Sequence, residues 1–246
     1  MPAANISRRA LLSIAAAALA AAVTGCGSGG PPTPTIVPTP TPTPLDILAQ
    51  ASTRLAETQS VAFTLDVQGN TFLDPQQTIR LLSAQGVLKR PDRVQTTFKA
   101  EVLGRAVTLQ LITVGDKTWL TNILTGEWGP APEEFTYRPS VLFDTQEGIG
   151  PVMGRVQDVQ RLDDEELDGR PAYHIRAKVD ESVIGPLTYY TIHGSPVTVD
   201  LWIDRETNDL LRARLSEPPA ADRPNPAVWT LNLSKHGEDV DIEPPV

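Results

Sequence analysis

The stretch SPVTVDLWIDRETNDLLRARLSE, residues 195–217, contains two runs in which apolar and polar residues alternate. Val199, Leu201 and Ile203 share one side of the first run, residues 195–204. Alternation with a period of two is typical of a half-buried β-strand. Polar residues separate the two runs, so the stretch predicts two strands joined by a turn.

The same alternation recurs along most of the chain, as in the run that holds Val61, Phe63 and Leu65. The predicted strands cover residues 61–67, 78–90, 94–104, 105–115, 117–123, 127–130, 155–167, 171–179, 195–204, 210–217 and 227–235. One helix is predicted before them, at residues 45–58, with Leu45, Leu48 and Leu55 on a single face. Many strands joined by turn residues predict an antiparallel sheet, either open or curled into a barrel.

Residues 138–154 interrupt the alternating pattern. Their apolar residues are separated by glycines, which predicts short helices that lie against the sheet. Two interpretations remain open for this segment. It either caps the core or forms a flexible lid over an apolar cavity, because glycine hinges and a methionine suit adaptable packing.

The N-terminus has the features of an export signal. Residues 1–9 carry two arginines and no acidic residue, and residues 10–23 are an uncharged apolar run. The run is too short to span a membrane comfortably, so residues 1–25 are predicted to be a signal peptide. A twin-arginine signal and a general secretory signal both fit this pattern.

Cys26 is the only cysteine of the chain, and it follows Val23, Thr24 and Gly25. This order resembles a bacterial lipobox, in which the cysteine sulfur receives a diacylglyceryl group and the chain is cut before it. Cys26 is therefore predicted to be a lipid anchor. Residues 26–44 then form a tether, because the prolines and threonines of residues 31–44 favour extended polyproline II. The tether could reach roughly 55 Å.

The charge of the chain excludes some classes of partner. Loss of residues 1–25 would change the formal net charge from −9 to −11, because that segment holds two arginines and no acidic residue. A net negative charge of this size argues against binding nucleic acid or being attracted to anionic lipid head groups. A single cysteine also excludes a disulfide within the chain, so a hydrophobic core must hold the fold.

Two motifs resemble those of a known family, the LppX/LprAFG lipoproteins, which are related to LolA-type lipid and lipoprotein carriers. The first motif comprises Val199, Leu201, Trp202, Ile203, Asp204, Thr207 and Leu210, and the second comprises Leu167, Asp168, Gly169, Pro171 and Tyr173. The resemblance spans most of residues 45–246, which are predicted to form one domain. It implies an α+β fold in which a curled antiparallel sheet, or half-barrel, packs on a few helices. It further implies an apolar cavity that takes acyl chains of lipids or glycolipids.

The cavity candidates are apolar residues of the predicted strands and of the interrupting segment. They are Phe63, Leu65, Leu109, Leu111, Leu142, Phe143, Ile149, Val152, Met153, Tyr173, Ile175, Val199 and Leu201. Each of the strand residues is explained equally by an ordinary packed core. No catalytic constellation, metal motif or cofactor motif is evident. His174 is expected to face solvent, and the acidic run at residues 163–168 is expected to be a solvated hairpin end.

The sequence therefore predicts a non-enzymatic, lipid-anchored protein on the outer face of the cell membrane. Its expected role is to bind acyl chains for lipid transport or holding within the cell envelope. The alternative is a sensor or scaffold that uses the same fold to bind an envelope protein. A carrier needs an apolar cavity, whereas a scaffold needs a packed interior and an exposed apolar patch.

Overall fold

Twelve strands and a few short helices make up the described part of the chain. The computed structural model describes residues 41–74, 76–132, 139–221 and 223–245. The predicted signal peptide, Cys26 and most of the tether lie outside these residues. Within them, none of the helices is both long enough and apolar enough to cross a membrane.

The elements follow the chain in a simple order. The helices are α1 (Pro44–Glu57), a 3₁₀ helix (Pro139–Phe143), α2 (Ile149–Met153) and α3 (Glu181–Thr188). The strands are β1 (Ser60–Gln68), β2 (Ile79–Lys89), β3 (Arg93–Val102), β4 (Arg105–Val114), β5 (Lys117–Thr121), β6 (Trp128–Pro130), β7 (Gln157–Arg161), β8 (Glu165–Leu167), β9 (Arg170–Val179), β10 (Val197–Asp204), β11 (Leu210–Ser216) and β12 (Val228–Ser234).

All of these strands belong to one antiparallel sheet. Its order is β6-β5-β4-β3-β2-β1-β12-β11-β10-β9-β7, and β8 pairs with β9 beside this path. The first and last strands of the path do not pair with each other, so the curled sheet stays open. The α+β class and the half-barrel sheet predicted from the sequence are confirmed.

The first sequence motif fixes the turn between β10 and β11. Asp204 ends β10, and its Oδ1 accepts hydrogen bonds from the backbone N–H groups of Glu206 (2.8 Å) and Thr207 (2.7 Å). Arg170 donates from Nε to the other carboxylate oxygen of Asp204 at 2.8 Å. The motif therefore places a carboxylate where it orders the turn and joins it to β9.

The second motif forms a two-residue hairpin turn between β8 and β9. Leu167 pairs with Arg170, and the two residues between them, Asp168 and Gly169, have φ angles of 52° and 78°. A turn with positive φ at both central positions matches the right-handed twist of the flanking strands, and Asp-Gly is a favoured pair for it.

Helix α1 begins one residue earlier than predicted. Thr43 caps it, because the backbone N–H of Asp46 donates to Thr43 Oγ1 and the Asp46 carboxylate accepts from the backbone N–H of Thr43. Pro44 fits the first turn because a proline lacks the N–H that would remain unpaired there. The predicted face is partly wrong. Leu48 and Leu55 are buried, but Leu45 is 63% exposed.

Two other predictions of secondary structure need correction. Helix α3 was not predicted, because Gly185 and Pro186 within it argue against a helix. The predicted strand at residues 155–167 is two strands, β7 and β8, separated by residues 162–164. The short helices predicted within residues 138–154 are present as the 3₁₀ helix and α2.

Packing on the concave face of the sheet changes from one end to the other. At the end where β1 begins, Val61, Val94 and Ile203 are fully buried in the core. Further along the neighbouring strands, Phe98 and Trp229 are only half-buried. The helices therefore cover the first end closely and leave the middle of the concave face less tightly filled.

His174 lies on the convex face and is buried rather than solvent-exposed, which corrects the expectation from the sequence. Its ring stacks on Trp202 at a centroid distance of 4.4 Å. Its Nε2 lies 2.9 Å from Asp200 Oδ1, and its Nδ1 lies 2.8 Å from Glu165 Oε1. Alternation predicted the correct face, but it could not show that Trp202 and β8 cover that face.

Candidate functional site

The candidate site is an apolar hollow between the concave face of the sheet and the helices α2 and α3. About 930 Å³ of space free of protein atoms lies within it, part of which is open to solvent. A water molecule takes up about 30 Å³ in the liquid, so the hollow is much larger than an ordinary packing defect.

Many of the residues proposed from the sequence line this hollow. From the strands and the segment between β6 and β7, they are Phe63, Leu65, Leu142, Ile149, Val152, Met153, Val199 and Leu201. The short helices of residues 138–154 therefore pack on the core and form one wall of the hollow, while the flexible lid stays a prediction.

The other proposed residues lie outside the lining. Leu111 and Ile175 face the same side of the sheet, but both are fully buried in the packed core. Leu109 is half-buried on β4. The ring centroid of Phe143 lies 4.9 Å from Cζ of Arg90, and the ring centroid of Tyr173 lies 4.6 Å from Cζ of Arg161. None of these five residues therefore belongs to the lining of the hollow.

Several lining residues were missed by the sequence reasoning. Ile184, Leu187 and Thr188 come from α3, which was not predicted. On the sheet side, the missed residues include Thr96 and Trp229. The signal for α3 was present in the spacing of Ile184 and Leu187, together with the acidic residue in its first turn.

The lining contains almost no polar chemistry. None of the described residues that form it is charged. Thr188 Oγ1 donates to the carbonyl of Ile184 at 3.1 Å, and Trp229 Nε1 donates to Thr71 Oγ1 at 3.0 Å. Thr96 Oγ1 is buried and has no hydrogen-bond partner among the described residues. A charged group inside would be left without a counter-charge, so the hollow suits uncharged, apolar ligands.

A cluster of charges lies away from the hollow, around the turn between β10 and β11. Arg170 donates to Asp209 Oδ2 at 3.1 Å as well as to Asp204, and Arg54 of α1 donates to Asp209 Oδ1 at 2.8 Å. Burial raises the pKa of Asp204, but the backbone N–H groups of Thr207 and Glu206 and the Arg170 guanidinium outweigh it, so this pKa lies below its ordinary value of 3.8. The cluster joins α1 to the sheet.

His236 is buried beside this cluster. Burial lowers its pKa below the ordinary value of 6.5, although the nearby charge of Asp209 acts in the opposite direction. Its Nε2 lies 3.0 Å from the carbonyl oxygen of Leu210, to which a neutral ring can donate. Within the described residues, no group of three or more His, Cys, Asp or Glu side chains is arranged to hold a metal ion.

Comparison with solved structures shows the same fold. LprF from Mycobacterium bovis matches with a TM-score of 0.66 and 20% sequence identity, over 84% of this chain and 99% of LprF. The lipoprotein LppX from Mycobacterium tuberculosis matches with a TM-score of 0.57 and 17% identity, over 81% of this chain and 98% of LppX. No curated protein sequence matches the chain.

The family comparison covers most of the chain. The model of the LppX_LprAFG lipoproteins matches residues 43–242, which include the whole sheet, all the described helices and both sequence motifs. Since this match spans far more than half of the sequence, the chain belongs to the LppX_LprAFG lipoprotein family.

Proposed function

We propose that this lipoprotein binds acyl chains of lipids or glycolipids in its apolar hollow, for lipid transport or holding in the cell envelope. The observation that carries the proposal is the hollow itself. Among the described residues its lining is apolar and uncharged, and it is large enough for more than a single water molecule. Such a space binds hydrocarbon in preference to polar solutes.

The energetics need no specific polar contact. Burying one methylene group of an acyl chain contributes about 0.8 kcal/mol. Ten buried methylene groups would therefore offer roughly 8 kcal/mol before the entropy of ordering the chain is subtracted. A dry apolar lining is sufficient to hold a chain, and no catalytic step is part of the proposed role.

We propose that Cys26 anchors the protein to the outer face of the cell membrane. The proposal is supported by the lipobox-like order before Cys26 and by the lipoprotein family to which the chain belongs. Two acyl chains on one residue give stable membrane attachment, whereas a single chain gives only marginal binding. The extended tether would let the domain reach lipids some distance from its own anchor.

The alternative role is an envelope sensor or scaffold that binds a protein partner. That role calls for an interior filled by the protein's own side chains. The half-buried Phe98 and Trp229 in the lining of the hollow favour the carrier instead.

The test is to express the chain from Thr41 onward, which keeps the Thr43 cap of α1, and to extract its lipids. We expect mass spectrometry of the extract to find copurifying acyl lipids. We also expect a fluorescent fatty acid to bind to the delipidated protein with saturation. An empty extract, together with no binding of the fluorescent probe, would refute the carrier role.

A further inference from the structure

Thr96 places a hydroxyl group in the apolar lining without a partner. The residue lies in the middle of β3 and is 2% exposed. Its Oγ1 makes no hydrogen bond within the described residues. Most buried hydroxyl groups in proteins are hydrogen-bonded, because an unpaired one is destabilising relative to an apolar group of the same shape.

The neighbours across the sheet cannot satisfy this hydroxyl. The strand register places Gly86 beside Thr96 on β2 and Leu111 beside it on β4. Neither residue has a polar side-chain atom. The other polar side-chain atoms of the lining, on Thr188 and Trp229, already have partners. The Thr96 hydroxyl, on a residue that lines the hollow, is therefore left without a partner among the described residues.

The position of Thr96 along the strand sets the kind of ligand atom that can reach it. Val94, two residues earlier on the same face, is fully buried in the packed part of the core, whereas Phe98, two residues later, is half-buried in the hollow. Thr96 thus lies where the hollow meets the packed core. A head group that stays near solvent is not expected at this depth, whereas an atom within the chain of a buried ligand is.

We propose that the Thr96 hydroxyl binds a neutral oxygen carried within the chain of the bound lipid, either a carbonyl or a hydroxyl. This inference rests on the proposed function. An ionised oxygen is disfavoured because none of the described residues that line the hollow carries a positive charge to balance it. Thr96 is then a specificity-determining residue, since it favours oxygenated acyl chains over plain ones of the same length.

The test uses the delipidated protein and displacement of a bound fluorescent fatty acid. The competitors are octadecanoic acid, a series of hydroxyoctadecanoic acids that differ in the hydroxylated carbon, and the corresponding oxo acids. We expect one member of a series to bind about fivefold more tightly than octadecanoic acid, as one hydrogen bond allows. The hydroxyl and oxo series separate the two kinds of oxygen, because only the hydroxyl can also donate.

Thr96→Val removes the hydroxyl with little change of shape and should abolish that preference while plain octadecanoic acid still binds. Thr96→Ser keeps a hydroxyl and should therefore keep the preference. It is the variant to measure if Thr96→Val does not fold well, and loss of the preference in it would count against the proposal. Thr97→Val is the matched control on the same strand, because Thr97 faces the opposite side of the sheet from the hollow. It should keep the preference.

Two results would overturn the inference. Equal binding of oxygenated and plain chains by the unaltered protein would do so, as would a preference that survives Thr96→Val. Both results would leave the proposed function intact. Failure of the fluorescent fatty acid to bind at all would instead refute the proposed function, and this inference with it.

Discussion

Filling the hollow with a protein side chain should block acyl-chain binding without unfolding the domain. Ala213 on β11 is the best position for this substitution. It lines the hollow, and its register partners on both sides, Leu201 and Leu231, line it too. Ala213→Phe would therefore place a ring in the middle of the space that a chain is proposed to occupy.

The size of the effect follows from the displaced hydrocarbon. The ring would exclude about six methylene groups of a bound chain, each of which contributes about 0.8 kcal/mol. The loss could reach about 5 kcal/mol, or more than a thousandfold in Kd at 1.4 kcal/mol per factor of ten. Because a flexible chain can shift within the hollow, we expect a weakening of at least about a hundredfold.

The assay is titration of a fluorescent fatty acid into the delipidated protein, with thermal unfolding measured in parallel. Ala62→Phe is the matched control, because Ala62 lies on β1 between Val61 and Phe63 and so faces the opposite side of the sheet. The control should bind the probe as the unaltered protein does. Ala213→Leu gives a smaller version of the same block if the phenylalanine variant does not fold. A folded Ala213→Phe variant that binds the probe normally would refute the assignment of the hollow as the binding site.

Three further predictions concern stability and attachment. Arg170→Met should lower the free energy of unfolding by about 2–4 kcal/mol in urea denaturation, because it leaves the buried carboxylate of Asp204 without its cation. The control Lys178→Met removes an exposed ion pair and should change the free energy of unfolding by less than about 1 kcal/mol. The free energy of unfolding should fall as the pH drops below 6.5, because His236 is protonated more readily in the unfolded chain than in the folded chain. His236→Gln should make this fall with pH less steep. An equally steep fall in the variant would contradict the lowered pKa of His236. Cys26→Ser should move the protein from the membrane fraction to the soluble fraction, and a protein that stays with the membrane would show that Cys26 is not the anchor.

The strands of the sheet were predictable because one buried face requires apolar residues at every second position. Alternation at Val199, Leu201 and Ile203 identified β10 because side chains on a strand point to opposite faces in turn. Helix α3 escaped prediction because Pro186 lies inside it, and tertiary packing overrides that local penalty. The sequence thus indicates the strands more reliably than the short helices that cover them.

The site was predictable only in part for a related reason. The strand register places Leu111 and Thr96 side by side on the same face, but alternation along each strand cannot tell which of the two borders the hollow. Leu111 is packed into the core, whereas Thr96 borders the hollow. That difference depends on how α2 and α3 pack against the sheet, which tertiary contacts decide rather than the pattern of residues within either helix.

The change in packing along the concave face has one more consequence. The tightly filled end, where Val61, Val94 and Ile203 are fully buried, gives the hollow a fixed floor. A hydrocarbon tail that reaches this floor can go no deeper, and any surplus carbons must remain outside with the rest of the lipid. The affinity of the domain for a lipid would then rise with tail length only until the tail reaches the floor.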